Sequence, residues 1–314
     1  MPARSMRGIY VDRTPEMREV MESRRLPSPS AIAFHEGEPS DADLIRYGQA
    51  AEVLLVEHTR IGRHVIDSCP ALAAVLFMGT GVESYLDVAH ATQRGLRIVT
   101  TPGYADQSVA EHALALMLAA ARNIARMDRD VRAGIWAPID GVQLKGRKVA
   151  VIGLGGIGRA FADMAGALGM VVAAWNRTAL ERPDFEADLD TALAGADVVS
   201  LHLRLREETR GIIDERRLGL VNRGCILVNT ARSALVDEQA LLRALTDRHI
   251  GHAALDVFPS EPLREGDAYT RFENVTLTPH TAWMTRDACA ELWLRTLKAF
   301  AKLQAEDTHD AEHL

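Results

Sequence analysis

Short apolar runs alternate with longer stretches of helical spacing along most of the chain. In the first third, 8–11, 52–56 and 74–78 read as strands, while 41–50 and 64–68 carry helical spacing between them; Pro27 and Pro29 mark a loop. Strands alternating with helices predict a parallel sheet covered on both faces. From 108 to about 134 one long helical pattern carries Val109, Ala113, Leu116, Met117, Ala120 and Ile124. After a turn at 144–146, strands are predicted at 148–152, 171–175, 197–201, 225–229, 253–257 and 275–278, with helical segments between most of them. Six strands in this arrangement predict a complete doubly wound dinucleotide fold. A last helix is predicted over 286–304, carrying Leu292, Leu294, Leu297, Phe300 and Leu303; the polar stretch 306–314 is expected to fray.

Composition narrows the function class. The 314 residues leave room for two domains at roughly 150 residues each. With 36 Lys and Arg against 43 Asp and Glu, the net charge is −7, which gives no electrostatic case for nucleic acid or an anionic membrane. A hydrophobic share of 47% excludes a mainly disordered chain. Cys69, Cys225 and Cys289 are too few and too scattered for a disulfide framework or a structural zinc site. The apolar run 113–121 is too short to span a bilayer, and 1–13 holds no apolar core of the kind a secretory signal needs, so a cytoplasmic protein is expected. His249 and His252 straddle a glycine and are expected to diverge, and His309 and His313 lie in the polar tail, so no metal site is expected.

The glycine motif carries the first chemistry. Gly153-Leu154-Gly155-Gly156-Ile157-Gly158 follows a strong strand and opens a helix whose apolar side includes Phe161, Met164 and Leu168. The first glycine permits a tight turn, the second lets backbone approach a pyrophosphate, and the third allows close helix–strand packing. The helix N-terminus then offers N–H groups to the phosphates. Sites for NAD usually place Asp or Glu about 20 residues on, at the ribose 2′-hydroxyl. Here the second strand ends in Asn176-Arg177-Thr178, with no carboxylate to repel a 2′-phosphate and a guanidinium able to pair with one. NADP is therefore the expected cofactor; the competing reading is a solvated Arg177, with Asn176 serving NAD.

Three segments at strand ends hold the remaining candidates: Asn229-Thr230-Ala231-Arg232, Asp256-Val257-Phe258-Pro259-Ser260-Glu261-Pro262 and Thr278-Pro279-His280. An arginine that clamps a carboxylate, a histidine that gives a proton to a developing alkoxide, and a carboxylate that orients the imidazole can together reduce a 2-keto acid. With Met78-Gly79-Thr80-Gly81 and Val109-Ala110-Glu111, these ordered motifs make the chain resemble the D-isomer-specific 2-hydroxyacid dehydrogenase family, over nearly its whole length.

The resemblance implies two doubly wound parallel-sheet α/β domains: a Rossmann NAD(P)-binding domain, 102–282, inserted into a flavodoxin-like substrate domain, 1–101 plus 283–314. It implies His280 as general acid and base, Glu261 as its partner, and Arg232 on the substrate carboxylate and carbonyl. Met78, Gly79, Thr80 and Trp283 are implied at the substrate. Beyond the glycine motif with Gly156 and Ile157, and the Asn176-Arg177-Thr178 turn, the implied cofactor residues are His202, Thr209, Thr230, Ala231 and Asp256. The long helix resembles the family's dimerisation element, and a homodimer is expected. Some positions depart from the family pattern. One extra residue precedes Leu86-Asp87, Arg204 and Arg206 stand where Pro and Thr are usual and are expected to face solvent, and Thr281-Ala282-Trp283 is closer to the glyoxylate/hydroxypyruvate reductase branch. Trp283 would favour a small or apolar substituent. His58 lies in a loop that can reach substrate in relatives, and is read as a surface histidine. Formate-type relatives carry Gln at the position of Glu261 and phosphite-type relatives Lys near Met78, so neither branch fits. The rival from another class is a dinucleotide-sensing protein on the same fold, which would bind NAD(P)H without consuming it.

Overall fold

A computed structural model describes residues 6–312, with side chains through 306. Its backbone divides into two compact units, 1–105 with 285–314, and 106–284.

The first unit runs β1 (Gly8–Arg13), α1 (Pro15–Ser23), β2 (Ile32–Glu36), α2 (Asp41–Ala50), β3 (Val53–Val56), α3 (Arg63–Asp67), β4 (Ala74–Phe77), α4 (Val88–Gln93) and β5 (Arg97–Thr100). Its sheet has the order β2-β1-β3-β4-β5, and every pairing is parallel. The two strands absent from the sequence reading, β2 and β5, are the sheet's edges. Edge strands need less apolar sequence because one side meets solvent. Local chemistry starts the helices: Thr14 caps α1 by accepting from Met17 N–H with Pro15 at the first position, and Ser40 and Asp43 form a capping box on α2.

The strand order reverses between β1 and β3, the point at which doubly wound sheets open a ligand crevice. Here the chain fills that crevice itself. Asp12, 3% exposed, accepts from the N–H groups of Glu57, His58 and Thr59 at 2.7–3.2 Å. Glu57 is buried beside it and accepts a hydrogen bond from the Tyr10 hydroxyl.

The second unit holds α5 (Asp106–Ala121), α6 (Ile124–Arg132), β6 (Lys148–Ile152), α7 (Gly156–Ala167), β7 (Val171–Trp175), α8 (Leu189–Leu193), β8 (Val198–Leu201), α9 (Glu215–Leu218), β9 (Cys225–Asn229), α10 (Glu238–Thr246), β10 (Ile250–Leu255) and β11 (Val275–Leu277). Its sheet has the order β11-β10-β9-β8-β6-β7, again all parallel. Apolar clusters cover both faces, one around Leu227 and Leu255 and one around Val149 and Phe161. The chain returns to the first unit through α11 (Arg286–Glu312), whose Trp293 is fully buried, stacks on Tyr10 at 5.9 Å and donates to Pro27 O.

Three sequence expectations need correction. The single helix over 108–134 is two helices. Asn123 takes a left-handed backbone with φ 52°, its side chain donates to Asp140 O, and Val142 N–H takes the Ala121 carbonyl that a continuing helix would use. Hydrophobic spacing runs through that break because the apolar residues of α6 keep the period, yet none is buried. β10 starts three residues earlier than predicted, its first part disguised by Gly251 and the buried His252. α11 stays helical to Glu312 where fraying was expected. The side chain of His309 and all of His313 lie outside the described residues. Among the described residues no helix is long and apolar enough to cross a membrane, and no group of His, Cys, Asp and Glu could hold a metal. His249 and His252 diverge as expected, onto Leu218 O and Thr276 Oγ1.

Candidate active site

In the second unit, β9, β10 and β11 end side by side, and three loops leave from their C-terminal ends. Asp256 directly follows β10 and is fully buried. Its carboxylate holds the 278–282 segment from both sides of His280. Oδ1 accepts from the Thr278 hydroxyl at 2.5 Å and Thr281 N–H at 2.9 Å, and Oδ2 accepts from Ala282 N–H at 3.0 Å. His112 of α5 stands 3.0 Å from Thr278 Oγ1 and 3.6 Å from Asp256 Oδ1. Between these tethers His280 has φ 52°, a left-handed conformation uncommon for a residue with a side chain, so the surrounding structure must impose it.

His280 Nδ1 lies 2.7 Å from Glu261 Oε2, and Glu261 Oε1 accepts from Phe258 N–H at 2.9 Å. An ionised carboxylate only accepts, so Nδ1 carries the proton in this pair and Nε2 is left for exchange. Arg232 follows β9 on a turn built by Asn229, whose amide donates to Arg232 O and accepts from Ala231 N–H. The Arg232 guanidinium is exposed and donates to Ala231 O at 2.7 Å. The structure thus joins Glu261 to His280, while Arg232 rests on its own backbone.

The glycine loop follows β6, where the second sheet reverses its strand order. Gly153 has φ 104°, and an added Cβ there would lie 2.7 Å from the His202 backbone; at Gly158 it would lie 1.8 Å from Gly153 O. At Gly155 nothing lies within 4 Å. A Cβ on Gly156 would strike the Asp106 carboxylate, and Ile157 lies in the first turn of α7, whose N-cap has no side-chain hydrogen bond. Asn176 ties the loop to the end of β7, accepting from Leu154 N–H at 3.2 Å and donating to Thr178 O at 3.0 Å. Arg177 is exposed and pairs with Glu208 at 2.6 Å; Arg204 and Arg206 are both exposed, and Arg206 lies 3.9 Å from the same Glu208 oxygen. Thr209 closes its own turn, with its hydroxyl on Arg204 O and Arg206 N–H.

In the first unit, Met78 N–H donates to Val56 O at 2.7 Å and Gly79 N–H to Phe77 O at 2.9 Å, so both are engaged. Among the described residues the N–H groups of Thr80 and Gly81 have no backbone acceptor, and Thr80 is exposed. His58 Nε2 lies 3.3 Å from Glu57 Oε1. Burial pushes the His58 pKa down, but the carboxylates of Glu57, Asp12 and Glu38 together outweigh it and the net shift is upward.

Residues 114–282 match the family model described as D-isomer specific 2-hydroxyacid dehydrogenase, NAD binding domain. The chain is 34% identical over 312 residues to a glyoxylate reductase of Thermofilum pendens, covering 90% of this chain and 91% of that protein. The chain belongs to the D-isomer-specific 2-hydroxyacid dehydrogenase family. Two solved structures agree. The TT0316 protein of Thermus thermophilus is 32% identical with a TM-score of 0.80, covering 93% of this chain and 94% of that one. An acyclic imino acid reductase in complex with NADPH and D-Arg is 25% identical with a TM-score of 0.82, covering 96% and 98%.

As a member of this family, the dehydrogenase is an NAD(P)-dependent 2-hydroxyacid oxidoreductase, and its residues fit a dinucleotide. Open space at Gly155 leaves room for a pyrophosphate beside α7. Two buried polar atoms near the same crevice, His202 Nδ1 and Thr230 Oγ1, lack a protein partner among the described residues. Such atoms ordinarily have one. Burial pushes the His202 pKa down to about 3, so the ring is neutral there, with Nε2 on Ser200 Oγ at 2.9 Å. The sequence reading of the dehydrogenase missed Asn229 and His112 as parts of the site. Asn229 stood in a quoted motif, but only its two hydrogen bonds reveal it as the frame of the Arg232 turn. The loop geometry separates two glycines by outcome. Gly158→Ala is expected to destabilise the fold because its Cβ meets backbone. Gly155→Ala is expected to keep the melting temperature while weakening dinucleotide binding by about tenfold or more. Thermal unfolding and fluorescence titration with NADPH check both, and equal stability loss in the two variants would contradict this account.

Proposed function

We propose that the chain reduces a small 2-keto acid to a D-2-hydroxy acid and prefers NADPH. The 2.7 Å His280–Glu261 pair carries this reading. Glu261 holds Nδ1–H and so orients the imidazole, and Nε2 gives its proton to the developing alkoxide. Arg232 exchanges the Ala231 carbonyl for the substrate's carboxylate and carbonyl oxygen. A bound nicotinamide supplies the hydride. Trp283, half-buried just beyond the tethered segment, walls the pocket and favours a small substituent. The 106–284 unit is proposed as the dinucleotide domain. Oxidation of NADPH is expected with at least one of glyoxylate, hydroxypyruvate, pyruvate and phenylpyruvate, and His280→Ala is expected to lower kcat by about 10²- to 10⁴-fold. Tight NADPH binding without any turnover favours the sensor reading instead, and near-full activity of His280→Ala removes His280 as the proton donor.

Cofactor preference rests on the Asn176-Arg177-Thr178 turn, and the NADPH in the related imino acid reductase complex supports it. The Glu208 carboxylate holds Arg177 and attracts Arg206, so a 2′-phosphate takes over those guanidiniums and is repelled by Glu208 in doing so. Arg177→Ala is expected to weaken NADPH about tenfold or more with little effect on NADH, and Glu208→Gln to tighten NADPH selectively. Equal effects on both cofactors in binding titrations would remove Arg177 from this role.

We also propose a homodimer formed through the 118–142 segment. Trp136 is 89% exposed, and Ile124, Val131 and Ile135 are each more than half exposed on the same stretch. Apolar surface of this density marks an interface. Sedimentation velocity is expected to give a dimer for the native chain and a shift toward monomer for Trp136→Asp; a native monomer overturns the proposal.

A further inference from the structure

We propose that His112 is a positioning residue for proton transfer, acting through Thr278 and Asp256 on the segment that carries His280. The inference rests on the reading of His280 as acid and base.

The argument is one of proton count. The Thr278 hydroxyl has a single proton, and at 2.5 Å from Asp256 Oδ1 that proton lies on the line to the carboxylate. At the 3.0 Å contact with His112 Nε2 the threonine oxygen is therefore the acceptor and the imidazole N–H the donor. Donation from His112 polarises the hydroxyl and fixes its rotation toward Asp256. This matters because the two tethers of the His280 segment differ in kind. On the far side, Thr281 and Ala282 reach Asp256 through backbone N–H groups, which cannot turn away while the chain keeps its course. On the near side Thr278 N–H fixes the chain to Leu255 O at 3.0 Å, but its link to Asp256 is one hydroxyl on a rotatable side chain. His112 locks the adjustable tether. It does so from α5, a 16-residue helix that packs on β10 and β11 and is a rigid mount for the ring. With φ 52° at His280, the stretch between the Leu255 anchor and Thr281 can relax toward commoner backbone geometry once the hydroxyl bond to Asp256 is lost, and carry the imidazole off the line to Glu261.

The test is a double-mutant cycle on the full chain, using His112→Phe to keep an aromatic ring without the donor and Thr278→Val to remove the hydroxyl. His112→Phe is expected to lower kcat about three- to tenfold, with KM for the keto acid and the NADPH dissociation constant changed less than about twofold. In the Thr278→Val background the same change is expected to add almost nothing, since the residues act through one path. His112→Gln, which restores an N–H donor, is expected to recover most of the lost kcat. If Thr278→Val does not fold, Thr278→Ser serves in its place: it keeps the hydroxyl, gains rotational freedom and is expected to make the His112→Phe effect larger. Unchanged kcat in His112→Phe, additive effects in the cycle, or a lowered melting temperature with kcat intact would each overturn the proposal and leave His112 a packing residue. Full activity of His280→Ala would instead overturn the reading beneath it, so the two failures are told apart by which variant stays active.

Discussion

A buried carboxylate must be satisfied, and Asp256 is satisfied by the backbone it restrains. Removing an ionised group from water costs several kcal/mol unless hydrogen bonds or a counter-charge compensate. Among the described residues, the partners of Asp256 are two N–H groups and a hydroxyl of the 278–282 segment, with His112 alongside. Any path of that segment that drops one of these bonds leaves the carboxylate underpaired. Each bond to the carboxylate is worth about 1.5–3 kcal/mol, so the set together outweighs the strain of one left-handed histidine, about 1–3 kcal/mol, and it holds His280 where Glu261 can reach it. The His280–Glu261 pair proposed for proton transfer is solvent-accessible, and the bonds that fix it lie one layer beneath.

The same division recurs around the proposed cofactor turn. Asn176 fastens the glycine loop to the end of β7 with hydrogen bonds that carry no net charge. Outside it, Arg177, Arg206 and Glu208 form a solvent-facing charge cluster whose pairings are individually weak and can be exchanged. Firm neutral bonds position the loop, and loose charged ones remain free to answer the ligand. Arg232 follows this pattern, with its turn held by Asn229 and its guanidinium parked on a neighbouring carbonyl.

Much of this was legible in the chain. The strands β7 and β9 and the helix α2 have the predicted bounds, because continuous apolar runs and a Ser-Asp capping box are local signals. The proximity of Glu261 and His280 followed from ordered motifs rather than from spacing alone. Other features depend on contacts between distant residues. The break at Asn123 needs the 140–142 segment to return, with Val142 N–H taking the Ala121 carbonyl and Asp140 O accepting from the Asn123 amide. The engagement of Met78 and Gly79 N–H depends on β3 and on a local turn, and no motif reports which amides a loop leaves open. His112 sat beside a quoted motif, but its significance depends on residue 278, which lies 166 positions away.

Asp12 has a consequence of another sort. Three successive amides at the end of β3 converge as they do in loops that cradle phosphates, and the chain supplies their anion from its own β1. The two sheets share a winding, yet they stand in opposite relation to solution. The first is a lock cast with its key inside, closed to soluble anions at the place where its architecture invites one. The glycines after β6 leave the second open. In the first sheet a single aspartate already sits in the seat that the second leaves empty.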